Sequence, residues 1–334
     1  MTRDAGIRTE VLMGTFVTIQ AVGDDTDSGQ PADWERALHR AFDWFRRIEA
    51  CCSRFEADSE LMQLTAQVGV PVPVSDMLYQ IVQFALAVAE TSGGAFDPTI
   101  GREMETRGFN REHRTGKPVR TDLPSGGPVT YRDVDLDPGR TTITLCRPMI
   151  LDLGAVAKGF AVDMAACALA PFRNFAIDAG GDLYLGGHNP DGAPWSVGIR
   201  HPRQDRELID AVRVSDGAVC TSGDYEHDRH ILDPRTGAPA TGVASVTVVA
   251  PTAMLADALA TAAFVLGPAD GLRLLDAQGV EGLIVSPTLE CDATKGWKGV
   301  NEAPHRPTNP AILPNPEGSA ARRAGDPDGR RGVG

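Results

Sequence analysis

From Met254 to Leu266, inside the stretch PTAMLADALATAAFVLG, the chain is apolar except at Asp257 and Thr261. A helix that is apolar on every side has no solvent face, so other elements must cover it all round. That requirement asks for stacked layers around one core rather than a small open fold. Pro251-Thr252 marks the start of the helix, and Gly267-Pro268 marks its end. Asp257 and Thr261 stand four residues apart and therefore share one face. Thr261 alone is explained by a hydroxyl bonded back to the carbonyl one turn earlier. Asp257 is harder to explain that way. A carboxylate among Leu255, Ala256, Ala258 and Leu259 needs a charged partner or costs several kcal/mol in desolvation. One carboxylate and one hydroxyl oxygen form part of a hard-cation site when ligand phosphates supply the rest, as is common for Mg2+.

The other segments supply the layers. Residues 8–22 read as a strand through the alternation at Val17-Thr18-Ile19-Gln20. Residues 33–52 carry Trp34, Leu38, Ala41, Phe45, Ile48 and Cys52 at helical spacing. Ser75 caps a second helix that runs to about Glu90 and stops at Gly93-Gly94. Residues 97–128 show little periodicity. Strands are expected at 141–146, 149–153, 174–178, 182–186, 195–200, 211–215, 244–250 and 282–287, a helix over 155–170, and a loop between 215 and 244. Helices interspersed with neighbouring strands predict an α+β fold with mixed or antiparallel sheets and packed helices. Residues 1–300 read as one domain, with room for two intertwined subdomains. Residues 301–334, rich in Pro, Gly and Arg and lacking aromatic residues, read as a disordered tail.

The net charge of −13 argues against a nucleic-acid binder. An acidic protein that handles an anionic ligand needs a local remedy: a metal ion, a helix N-terminus or a few placed cations. The six cysteines form no C-x-x-C pair, which fits a reducing compartment. The N-terminal residues carry no basic-then-apolar export signal, and no run is long enough to span a membrane, so a cytoplasmic location is expected. Generic motifs fail. No G-x-G-x-x-G or G-x-S-x-G occurs, GFNREHRTGKP has Pro118 where a phosphate loop needs Ser or Thr, and HDRH at 227–230 lacks further zinc ligands nearby.

Three segments remain as carriers of chemistry. In MILDLGAVAKGFAVDMAA an apolar run ends at Asp152, turns, and enters a helix with Lys158 near its start. A helix start attracts anions, and a lysine adds a point charge for phosphate, although a plain connection with a surface lysine reads equally well. CTSGDYEHDRHILDPRTGAPA packs Thr221, Ser222, Asp224, His227, His230 and Asp233 together, either as a polar hairpin loop or as a site. His230 there adjoins the apolar Ile231-Leu232, where a histidine can be held and tuned. GGAFDPTIG at 93–101 reads as a tight turn.

Taken in order, MGTFVTI, SRFEADSELMQL, GAFDPTIG, LDLGAVAKGFAVD, AIDAGGDLYLGG, TSGDYE, HILDPRTGAP and SVTVVAPTAMLADALATAAFVLG resemble the ApbE family of FAD:protein FMN transferases. The resemblance implies an ApbE-like, T-fold-related architecture and protein flavinylation: transfer of FMN from FAD to a threonine of an acceptor flavoprotein, with release of AMP. It implies Mg2+ held at Asp257 and Thr261, with Ala155, which can offer only its carbonyl, completing the protein ligands. It implies a FAD site lined by Met13, Phe55, Ala95, Phe96, Asp97, Asp152, Lys158 and Ile231. His230 becomes the first candidate for the base, and a metal-site carboxylate such as Asp257 could share that role. Some family members have a second carboxylate just before the metal-site threonine, where this chain has Ala260. Hydrolysis of FAD to FMN and AMP would draw on the same metal and diphosphate contacts, whereas a non-catalytic flavin-binding or delivery protein would not require His230 beside Asp257 and Thr261.

Overall fold

The computed structural model describes residues 5–23, 31–112, 115–124, 126–225 and 231–299. The chain opens with strands β1 (Ala5–Leu12) and β2 (Thr15–Val22), then helices α1 (Pro31–Cys52) and α2 (Glu60–Thr65). A short strand β3 (Val72–Pro73) leads into α3 (Asp76–Thr91) and α4 (Gly101–Thr106). Next come β4 (Val134–Asp137), β5 (Thr142–Leu145) and α5 (Gly154–Leu169). The strands β6 (Phe175–Ala179), β7 (Asp182–Gly186), β8 (Trp195–Arg200), β9 (Leu208–Val214) and β10 (Gly217–Gly223) follow. After the small β11 (Leu232–Asp233) and β12 (Ala238–Pro239), the chain closes with β13 (Ser245–Ala250), α6 (Ala253–Leu266), α7 (Pro268–Gln278), β14 (Glu281–Val285) and β15 (Cys291–Ala293).

An eight-stranded sheet of order β1-β2-β6-β7-β10-β13-β14-β15 forms the centre, and all of its pairings are antiparallel. One face packs against α5, α6 and α7, with α1 and α3 outside α5. The hairpin β8–β9 covers the other face through Trp195, Val197, Ile199, Val212 and Val214. α6 lies between the sheet and the other helices, touching β10, β13, α3, α5 and α7, which is how its all-round apolar surface is covered. Its Phe264 is fully buried, as are Phe42 and Phe45 of α1, each worth about 1.5–3 kcal/mol of burial. Among the described residues no helix is long and apolar enough to cross a membrane.

The four long helices α1, α3, α5 and α6 follow their sequence signals closely, while the short α2 and α4 are not among the helices expected. Ser59, Ser75 and Thr252 each accept a hydrogen bond from the third residue of the helix they start. Several strands depart from expectation. Residues 8–22 are two strands joined at Met13-Gly14, where both residues have positive φ (49° and 73°). Leu12 pairs with Thr15, so this is a two-residue hairpin turn of the kind positive φ at both central positions makes. Residues 149–153 form no ladder; only Ile150 bridges, to Ile100. The expected loop after 215 contains β10, a central strand of the main sheet. Its Gly217-Ala218-Val219-Cys220 core is short and flanked by polar residues, so alternation does not announce it. α7 is a further helix that periodicity passes over, with Pro268 at its first turn serving as the start signal.

Candidate active site

A cleft of about 200 Å3 opens where the starts of α5 and β7 meet β10 and α6. It is lined by Ala95, Phe96, Asp97, Asp152, Ala155, Lys158, Ile231, Asp257 and Thr261, all singled out by sequence. Ile100, Met104, Gly154, Asp182, Thr221, Ser222, Leu232 and Pro234 complete it. Its volume lies below the roughly 300–1,000 Å3 usual for ligand pockets, so a large ligand must extend past its mouth.

Each lining residue is held by its own local logic. Asp257 stands one turn into α6 and is only 7% exposed. Thr261, one turn further, lies 3.2 Å from Ser222 Oγ on β10, so hydroxyls from a helix and a strand meet at the cleft floor. Next to Ser222, Thr221 shares a 2.9 Å hydroxyl contact with Thr247 of β13. The Cys220 thiol is fully buried, and its pKa is pushed well up by burial and then by the charges of Asp182 and Asp257.

Across the cleft, Lys158 Nζ sits 2.7 Å from Asp182 Oδ2. Asp182 is 2% exposed, so the carboxylate side of this ion pair is shielded from water. Asp152 caps the first turn of α5 by accepting Gly154 N–H at 2.9 Å through Oδ1. Its Oδ2 receives Arg54 Nε at 2.7 Å. Arg54 also donates to the Phe109 carbonyl, and its guanidinium lies 4.3 Å over the Phe55 ring. The segment after Phe96 runs beside this turn: Pro98 O accepts Asp152 N–H at 2.7 Å, and Gly101 N–H donates to Ile150 O at 3.1 Å. Asp97 uses both oxygens within the protein, taking the N–H and hydroxyl of Thr99 at 2.9 and 2.8 Å and the N–H of Tyr131 at 2.9 Å. Burial pushes its pKa up, against the pull of those bonds. It therefore shapes the cleft wall as a turn-holder.

Two residues expected at the flavin site do not line this cleft. Phe55 stands behind Arg54, one ion pair removed from it. Met13 is half-buried in the β1–β2 turn and packs on the main core. The next turn of the sheet is close by, since a Cβ on Gly180 would fall 2.2 Å from Thr15 Oγ1. His227 and His230 lie outside the described residues; Ile231, which follows His230, lines the cleft. Thr221 and Ser222, part of the polar segment noted in the sequence, are brought to the cleft, whereas Asp182 and Arg54 are contributors that the sequence did not single out. Asp182 follows the Gly180-Gly181 turn, a position that separates a strand-opening carboxylate from a site only once the sheet is formed.

The donors around Asp257 bear on metal binding. Among the described residues, no three His, Cys, Asp or Glu side chains cluster as a metal site. A cation at Asp257 would draw on the Thr261 hydroxyl, a main-chain carbonyl and oxygens of its ligand. Such an all-oxygen set fits Mg2+ or Mn2+ and not a zinc-type centre.

This fold is similar overall to those of solved flavin transferases. The structure of the flavin transferase ApbE from Vibrio cholerae matches with a TM-score of 0.75 at 26% identity, over 88% of this chain and 98% of that one. The ApbE protein of Thermotoga maritima matches with a TM-score of 0.74 at 31% identity, over 87% and 97%. In sequence, the FAD:protein FMN transferase of Treponema pallidum is 34% identical over 322 residues, 86% of each chain. That of Haemophilus influenzae is 30% identical over 268 residues, 74% of this chain and 78% of its own. Residues 13–284 match the ApbE family as a whole, and the chain belongs to that family.

Proposed function

We propose that this protein is a Mg2+-dependent FAD:protein FMN transferase that joins FMN to a threonine hydroxyl of an acceptor flavoprotein and releases AMP. The observation that carries this reading is that Asp257 and Thr261 open into the same cleft as Lys158 and the α5 start. A diphosphate laid across that cleft would meet a lysine and a helix N-terminus on one side and a hard-cation donor set on the other. Mg2+ held by Asp257, Thr261 and the Ala155 carbonyl would neutralise charge on the diphosphate and on the departing AMP. Ala95, Phe96 and Ile231 provide apolar wall for the flavin end. Lys158, released from Asp182, can follow a phosphate oxygen as a mobile point charge.

A threonine hydroxyl is a weak nucleophile, so a base should remove its proton as its oxygen attacks the FMN-side phosphorus. The new bond is threonine oxygen to phosphorus. The bond that breaks joins that phosphorus to the bridging oxygen, which leaves with AMP. His230 is assigned the proton on the family resemblance; Ile231, the next residue of the chain, lies in the cleft wall.

The test mixes purified protein, FAD and Mg2+ with acceptor domains carrying candidate threonines and follows covalent FMN by in-gel fluorescence and mass. The expected outcome is a fluorescent acceptor with equimolar AMP. Asp257→Asn should abolish labelling with the fold retained, and His230→Ala should bind FAD but transfer slowly. AMP and free FMN without labelled acceptor would replace transfer by hydrolysis. Full activity of Asp257→Asn at trace Mg2+ would remove the metal assignment.

A further inference from the structure

The helices that carry the two sides of the cleft, α5 and α6, are fastened to each other at one place. Asp163, on α5, accepts Ala253 N–H at 2.7 Å through one carboxylate oxygen and Met254 N–H at 3.0 Å through the other. These are the first two residues of α6, and the third, Leu255, donates to its own cap Thr252 at 3.3 Å. The opening N–H groups of α6, which a helix leaves without intrahelical partners, are thus divided between its cap residue Thr252 and Asp163 of α5. One turn before Asp163, Gly159 meets the same point: a Cβ there would fall 2.6 Å from Ala253 O and from Met254 N and Cα. The backbones of the two helices touch, and a charge-assisted cap holds them in register beside the contact. Ala155 and Lys158 precede this contact on α5, and Asp257 follows it by one turn on α6.

We propose that Asp163 is a positioning residue that sets the placement of Asp257 and Thr261 against Ala155, and so the metal affinity of the cleft. The inference rests on the metal reading given under Proposed function. Asp163 touches neither diphosphate nor acceptor in this scheme; it acts through the start of α6. Burial raises the Asp163 carboxyl to about 6 against the pull of the two N–H bonds, so the cap is held in a partly desolvated setting where its geometry is stiff.

The test compares the parent with Asp163→Asn, which keeps the shape and an acceptor but loses the charge, and with Thr252→Ala, which weakens the same helix start without touching α5. Three readouts are taken: Mn2+ binding with FAD present by loss of the free-ion paramagnetic signal, the Mg2+ concentration for half-maximal transfer, and thermal stability. Asp163→Asn should need about tenfold more of either metal, the size expected for a residue that orients a ligand. Thr252→Ala should lose stability while keeping the parental metal requirement. A parental requirement in Asp163→Asn overturns the proposal, as does an equal rise in Thr252→Ala, which would reduce the effect to helix stability. Should Asp163→Asn not accumulate folded, Asp163→Glu, which moves the charge outward by one methylene, is read the same way; a rise supports the proposal and a parental value overturns it. A parent that binds no Mn2+ is a different failure, since it removes the metal reading itself.

Discussion

At the scale of residues, the buried and part-buried carboxylates are each held differently. Asp152 is neutralised by Arg54, Asp182 by Lys158, and Asp163 by a helix start. Asp178 accepts the Gly181 N–H at 2.9 Å and lies near Asp182. Burial is the main cause that raises its carboxyl from 3.8 to about 6. Between those values the folded protein keeps a proton that the unfolded chain has released. Stability from this group therefore falls as pH rises from about 4 to about 6 and is level above, by on the order of 3 kcal/mol. Asp178→Asn keeps the acceptor for Gly181 and removes the titration. Melts of parent and variant across pH 4–7 should diverge, the variant gaining relative stability as pH rises. Parallel curves would show that Asp178 does not carry this dependence.

At the scale of elements, close backbone approach decides which substitutions the site tolerates. Gly101 begins α4 against Ile150, where a Cβ would meet the Ile150 carbonyl at 2.5 Å. Gly101→Ala should push the 97–101 segment off the turn that holds Asp152 and cost about 1–3 kcal/mol. Gly242 has nothing within 4 Å of the place a Cβ would occupy and no strained φ, so Gly242→Ala should stay within about 0.5 kcal/mol of the parent. Urea unfolding of the two variants checks the contrast. The clash at Gly101 is with backbone, which cannot rotate away, and this is why one added carbon is expected to matter there.

At the scale of the whole molecule, the cleft collects residues from Ala95 to Thr261, drawn from loops, helices and strands of the main sheet. No part of the chain holds it alone, so a ligand that bridges it binds the folded form only. FAD with Mg2+ should raise the unfolding midpoint, with a stabilisation of about 2.7 kcal/mol at a hundredfold excess over Kd. The gain should shrink when Mg2+ is withheld and in Asp257→Asn. Calorimetric scans with FAD, Mg2+, both and neither measure it; an FAD shift indifferent to Mg2+ would count against a metal-bridged diphosphate.

Much of this is legible in the chain. Thr252 and Gly267 bound α6, Ser75 caps α3, and the Asp257/Thr261 spacing puts both on one face, because caps and helical period are local properties. The segments around Ala95, Asp152, Lys158 and Ile231 are recognisable by resemblance as parts of one site. Other features depend on long-range pairing. Residues 8–22 read as one alternating run, and only the positive φ at Met13 and Gly14 folds it into a hairpin. β10 looks like loop until β7 and β13 pair with it on either side. Arg54 finds Asp152, Ser222 finds Thr261, and Asp163 finds the start of α6 across 98, 39 and 90 residues of chain. The helices, their caps and the chemistry available on each face thus follow from short-range pattern in the chain. Which carboxylate faces which cation, and which helix start, was left to the folded molecule, because those choices follow from sheet order and backbone contact, which no local pattern encodes.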